Sequence, residues 1–254
     1  MNSIKTIEKI RQFLNQDFQP KREIHCFTIK SNQIGYFNKL DIKVDIDKYK
    51  EIILKEETVL ELGGENRNSF SLVYPISNFN IVQDGKIILI GPEVSEISER
   101  ILDFGLFILI GYKQLSIEDV NILREYNFIS NGIEGFMIRT IPRRFWCRIS
   151  KVIKDKFSFE FLGNAIYYLY KQKFEKTIKS IEIIFIVAYP DLIEEFKELT
   201  SDIRNQIEKN WKEKVDKWKK RIDCDYEWDC NECPYYETCE DIKDVLIERN
   251  KIRE

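Results

Sequence analysis

All ten glycines of this chain lie at or before Gly163, and the ninety-one residues that follow contain none. Glycine supplies the turns and close approaches that short strands need, and its absence favours long helices. The sequence is therefore expected to divide into a strand-and-turn region over its first two thirds and a mainly helical last third. At 254 residues and 43% hydrophobic content there is enough apolar material for one large core. Such a chain does not need disulfide staples, and its composition excludes a disordered tail or a collagen.

Periodicity fills in the two regions. Ser3 to Phe18 carries Ile4, Ile7, Ile10, Phe13 and Leu14 at helical spacing. Short β-rich runs follow at Ile24 to Ile29, Leu40 to Ile46, Thr58 to Leu62 and Phe70 to Tyr74. Ile81-Val82 and Lys86 to Gly91 flank Asp84-Gly85, a sequence that predicts a hairpin. Gly105 to Tyr112 reads as a buried strand, Ser116 to Tyr126 as a helix and Phe145 to Ile149 as a strand.

Beyond these, Glu160 to Lys176 has an aromatic helical side and Ile181 to Ala188 can form a central strand. From Asp191 to Arg221 the steps between Ile193, Phe196, Leu199, Ile203, Ile207, Trp211, Val215 and Trp218 predict one helix about 46 Å long. The expected fold is α/β: a layered mixed sheet with flanking helices and a C-terminal helical, cysteine-rich appendage. Its parts are an N-terminal helix (1–19), an α/β domain (20–221) and an acidic metal-binding segment (222–254).

The compartment follows from charge and hydropathy. The amino-terminal stretch is amphipathic and charged without an apolar signal core. The apolar run Leu106 to Ile110 falls far short of the roughly twenty residues that span a bilayer. A cytoplasmic protein without a membrane partner is expected, in a setting that keeps thiols reduced.

Charge changes sign at the end of the long helix. Seven basic residues between Lys209 and Arg221 give way to eight carboxylates and no Lys or Arg between Ile222 and Asp241. The basic stretch reads as a solvated helix end that suits the negative pole of the dipole, or as a docking surface for a polyanion. A net charge of -3 and the lack of a recognition motif argue against nucleic acid.

Within the acidic stretch, Cys224, Cys230, Cys233 and Cys239 fall in sixteen residues. Four thiolates this close can surround one centre, with Cys230 and Cys233 on neighbouring corners. One short Cys-x2-Cys pair with longer arms, followed by Pro234, favours a [4Fe-4S] cluster over zinc, which usually draws on two short pairs. Zinc stays as the alternative. The lone His25 neighbours Cys26 in an apparent strand, where alternate side chains face opposite ways, and a structural role is expected for it.

A second cluster combines Arg139, Arg143, Arg144 and Arg148 with Phe145 and Trp146. Guanidinium groups grip phosphates and indoles stack on purines, so Arg143, Arg144, Trp146 and Arg148 form a candidate site for a nucleotide-like ligand such as coenzyme A. An edge strand with exposed arginines is the plain alternative.

Several runs together carry a resemblance. Glu61-Leu62-Gly63-Gly64, Phe70 to Tyr74, Asp84-Gly85-Lys86 and Ile90-Gly91-Pro92-Glu93 come first. Trp146-Cys147-Arg148-Ile149-Ser150-Lys151, Phe161-Leu162-Gly163 and Cys230-x2-Cys233 follow in order. From about residue 20 to 240 the chain resembles the middle region of acetyl-CoA synthase, the β subunit of the CO dehydrogenase/acetyl-CoA synthase complex of anaerobes. The resemblance implies an α/β domain that binds coenzyme A through arginines and tryptophan, followed by a cluster-binding segment.

On that resemblance Trp146 and Arg148 match the family's Trp-x-Arg stretch, and Cys230, Cys233 and Cys239 match its first three cluster cysteines. The family's fourth lies downstream, where Glu248 to Arg253 holds no cysteine, so Cys224 is expected to take that corner. The family's Cys-Gly-Cys nickel segment does not occur, so nickel and complete acetyl-CoA synthesis are not expected. Three functions stay open. One is an electron-transfer, CoA-binding or assembly protein with a redox, CO dehydrogenase or corrinoid-protein partner. The others are an acetyl-CoA synthase-type enzyme with a modified metal site and a zinc-stapled interaction module.

Overall fold

Alternating and continuous apolar runs become nine strands among the described residues, eight in the first two thirds of the chain and one beyond, in two mixed sheets in the computed structural model of the protein. The structure describes residues 7–8, 10–12, 22–29, 33–45, 52–64, 66–113, 132–141, 144–201, 205 and 209, apart from the side chains of 33, 138–141 and 144–145. The chain forms two compact units, residues 1–199 and 200–254. The description below concerns the first.

The strands are β1 (Ile24–Thr28), β2 (Thr58–Gly63), β3 (Ser69–Ile76), β4 (Lys86–Ile90) and β5 (Ile101–Leu102). They continue with β6 (Phe104–Tyr112), β7 (Phe136–Ile141), β8 (Arg144–Ser150) and β9 (Ile178–Val187). The large sheet runs β1-β4-β9-β6-β3 and the small one β5-β2-β8-β7. In the large sheet β4 and β9 are parallel, as are β3 and β6, while β1 with β4 and β6 with β9 are antiparallel.

Period-two alternation sorts the large sheet into two buried faces. Phe104, Leu106, Ile108 and Ile110 of β6, with Ile181, Ile183, Phe185 and Val187 of β9, share one core with the small sheet's Leu60, Leu62, Cys147 and Ile149. The helix α2 (Phe159–Lys173) joins this core, after α1 (Gln33–Leu40) earlier in the chain. Ser158 caps α2, its hydroxyl accepting the Phe161 N–H at 3.0 Å. Phe104, Phe159 and Phe185 cluster with ring centroids 5.6 to 6.2 Å apart. On the opposite face Phe196, from a helix over 190–201, stacks on Phe70 and meets Phe107 edge-on.

Several elements depart from the sequence reading. Leu40 to Ile46 is not a strand: α1 ends at Leu40, Asp41 turns at a φ of 49°, and only an isolated bridge joins Val44 to Ile133. The apolar alternation there buries Ile42 against the core instead. Asp84-Gly85 does not make a hairpin, because Phe79–Ile81 is a 3-10 turn and both edges of β4 are occupied by β1 and β9. Those two residues tie three segments together. Ile181 N–H reaches the Asp84 carboxylate at 2.9 Å, Gly85 N–H the Ile181 carbonyl at 2.9 Å, and Ile29 N–H the Gly85 carbonyl at 2.8 Å.

The strand β7, which the sequence reading passed over, pairs with β8 as a true hairpin. Ser3 to Phe18 is helical at its described positions, and Ser116 to Tyr126 lies outside the described residues. No described helix is long and apolar enough to cross a membrane.

Candidate functional site

The small sheet positions the arginine and tryptophan residues. In β8, Cys147 and Ile149 are fully buried in the core, so Trp146 and Arg148 alternate onto the other face. Strand β2 lies antiparallel beside them, with Glu61 opposite Arg148 and Gly63 opposite Trp146. Cross-strand pairing thus brings one carboxylate between a guanidinium and an indole.

The contacts are close. Trp146 Nε1 donates to Glu61 Oε1 at 2.5 Å, and Arg148 Nε stands 3.4 Å from Glu61 Oε2. The guanidinium carbon lies 4.5 Å from the Trp146 ring centroid, a cation–π contact. Arg148 also donates an η nitrogen to the Ile53 carbonyl at 3.1 Å, while Ile53 N–H faces Met137 Sδ at 3.4 Å. With Glu61 and Arg148 side chains only 13% and 17% exposed, this cluster is a packed assembly and not a set of free surface charges.

Gly64 completes it. Its φ of +120° suits glycine, and a Cβ there would stand 3.4 Å from Trp146 Cδ1 and 3.5 Å from Glu61 Oε1. The Glu-Leu-Gly-Gly run therefore serves both ends of the contact: Glu61 holds the indole and Gly64 lets the chain leave β2 beside it.

Trp146 and Arg148 are brought together. Arg144 opens β8, opposite Ile141, with its side chain outside the described atoms, and Arg143 lies outside the described residues. Cys224, Cys230, Cys233 and Cys239 lie outside them too. Cys147 of β8 is buried, and burial pushes its thiol up, so it is neither nucleophile nor ready metal ligand. Glu61 is the member whose role sequence reasoning missed, since only the pairing of β2 with β8 reveals it.

These residues fall within a stretch that is similar to known proteins. The sequence profile of the CO dehydrogenase/acetyl-CoA synthase complex beta subunit matches residues 41–192, well over half of the chain. The chain belongs to the CO dehydrogenase/acetyl-CoA synthase beta subunit family. Within it, the acetyl-CoA decarbonylase/synthase complex subunit beta of Methanopyrus kandleri is 29% identical over 163 residues, 62% of this chain and 34% of that protein. The subunit beta of Archaeoglobus fulgidus is 31% identical over 149 residues, covering 57% and 28% of the two chains. The carbon monoxide dehydrogenase/acetyl-CoA synthase subunit alpha of Moorella thermoacetica is 30% identical over 151 residues, or 57% and 20%.

The chain thus spans about a third or less of the length of these relatives. Among the beta-subunit family's matched residues are Glu61, Gly64, Trp146 and Arg148, whereas Cys224 to Cys239 lie beyond the profile match.

Proposed function

We propose that this beta-subunit relative is an iron–sulfur protein of anaerobic one-carbon and acetyl-CoA metabolism, serving electron transfer, coenzyme A binding or assembly beside a partner protein. The observation that carries the reading is the family match over residues 41–192, joined to four cysteines at 224–239 in the same chain. Cys224, Cys230, Cys233 and Cys239 are the proposed ligands of a [4Fe-4S] cluster, which supplies one-electron chemistry when bound. The eight surrounding carboxylates favour a low potential, because adding an electron beside negative charge costs energy.

Coenzyme A is the proposed ligand of the arginine and tryptophan face. Arg148 is engaged with Glu61 and the Ile53 carbonyl, so its part is to orient Trp146. Arg143 and Arg144, which follow β7 in the sequence, are then the proposed phosphate ligands.

Anaerobic purification followed by iron, sulfide and zinc analysis tests the cluster. Iron and acid-labile sulfide in equal amounts, with broad visible absorbance lost in Cys224→Ser, is the expected result. Zinc alone, without visible absorbance, would reject it and support an interaction module.

A further inference from the structure

Strand β1 forms one edge of the large sheet, paired with β4. Alternation places His25 and Phe27 on one face of β1, with the exposed Glu23 just before the strand; Phe27 packs against the main core, and His25 stacks on it with centroids 6.3 Å apart and planes 5° from parallel. At the far end of β4, Gly91 N–H donates to the Glu23 carbonyl at 2.9 Å. Gly91 has a φ of +127°, and a Cβ there would collide with the Val187 carbonyl. The chain passes through this tight point into a 3-10 turn, Val94–Glu96, which returns Glu96 toward β1.

One donor atom from each of Glu23, His25 and Glu96 lies within 4.8 Å of the other two. Two side-chain atoms beside this group are buried and lack a hydrogen-bond partner among the described residues: His25 Nε2 and Glu93 Oε2. Buried polar atoms left unmade are costly and ask for an explanation. Glu93 is itself anchored, with Oε1 accepting the Phe159 N–H at 2.6 Å at the start of α2. Glu96 Oε2 accepts the Glu93 N–H at 2.8 Å, a bond that leaves Oε1 uncommitted. Among the described residues, no Lys or Arg forms an ion pair with Glu23, Glu93 or Glu96.

We propose that Glu23, His25 and Glu96 bind a divalent transition-metal cation that clips edge strand β1 to the turn after β4. An imidazole and two carboxylates form a nitrogen and oxygen donor set suited to manganese, iron or zinc. Three protein ligands leave a position for water. Ligands about 2.0–2.2 Å from an ion stand roughly 3.4 Å apart in a tetrahedral set, so the three side chains close by little more than 1 Å. Glu23 and Glu96 are exposed and free to make that adjustment. The proposed ligands include none of Cys224 to Cys239, and the assignment does not depend on the cluster proposed above.

Manganese is the discriminating probe, because it favours oxygen and nitrogen donors over thiolates. The full chain would be titrated with Mn2+ while the electron paramagnetic resonance signal of free ion is followed, in wild type, His25→Ala, Glu96→Gln and Cys230→Ser. The expected result is one ion per chain, with affinity lowered roughly tenfold or more in His25→Ala and Glu96→Gln, and unchanged in Cys230→Ser. Because Glu96 is exposed, Glu96→Gln keeps the test decisive should circular dichroism show that His25→Ala misfolds. No binding at millimolar Mn2+, equal affinity in Glu96→Gln, or loss in Cys230→Ser would each overturn the assignment.

Discussion

Glu61 holds two partners at once, and the two respond differently to its replacement. Glu61→Gln keeps an oxygen for the Trp146 N–H but removes the countercharge of Arg148, whose side chain is only 17% exposed. A buried ion pair broken on one side costs up to about 3–5 kcal/mol, and partial exposure brings the expected loss here to about 1–3 kcal/mol. Urea unfolding should show that loss, and the Arg148→Met, Glu61→Gln double variant should recover part of it. If the single variant is as stable as wild type, the pair is not a structural hold on the indole. At this scale the sequence revealed the Trp and Arg residues through their composition. It could not reveal Glu61, because its partners are 85 and 87 positions away and meet it only through strand pairing. Cys147 was legible in part: alternation in β8 turns it inward, opposite in direction to Trp146.

Among the described residues, an ion pair joins the N-terminal helix to β9 across the outer face of the large sheet. Arg11 donates to Glu182 Oε2 at 2.9 Å and to the Ile81 carbonyl at 2.8 Å, and Glu182 is 3% exposed in the middle of β9. The Gln83 N–H adds a second hydrogen bond to the same oxygen at 3.0 Å. Arg11→Ala strands a buried carboxylate on that outer face and is expected to cost about 3 kcal/mol, more than Arg11→Ala in a Glu182→Gln background. A double-mutant cycle by denaturant unfolding measures the coupling, and equal costs in the two backgrounds would dissolve the pair. Sequence periodicity found β9 because continuous apolar runs mark strands buried on both faces, yet it gave no reason for Glu182 within that run. Local rules also failed at Asp84-Gly85. The turn chemistry is present, but distant strands compete for both edges of β4, and tertiary pairing decides against the hairpin.

Across the whole molecule, the two sheets and their helices bury polar aromatic groups along with apolar ones, and this sets an alkaline limit on stability. Layering itself was legible, since strand runs followed by a strong helix and another strand require a sheet with covered faces. The split into two sheets was not, because it depends on β8 pairing with β2 and β7 instead of extending the large sheet. Tyr170 is buried on the core side of α2, and burial pushes its hydroxyl far up. Burial also raises Tyr167, assisted by the Asp84 carboxylate that accepts its hydroxyl at 3.1 Å. Burial, then Glu160 and Glu93, pushes Tyr36 to about 12, and burial with Tyr74 nearby raises Tyr112. A tyrosine whose folded value lies above its unfolded value of about 10 adds stability that is complete below pH 10. That stability is lost as pH rises from there through the folded value, because only the unfolded chain ionises. For the fully buried Tyr170 the slope reaches up to roughly 1.4 kcal/mol per pH unit, and water screening makes it smaller for the half-buried Tyr36 and Tyr167. Alkaline titration should therefore show two phases in tyrosinate absorbance. The first is reversible and leaves circular dichroism unchanged. The second coincides with loss of the β-sheet signal and releases the buried members of the twelve tyrosines. Ionisation of all twelve before any change in circular dichroism would show that these hydroxyls are open to water, and that Tyr170 does not sit in a sealed core.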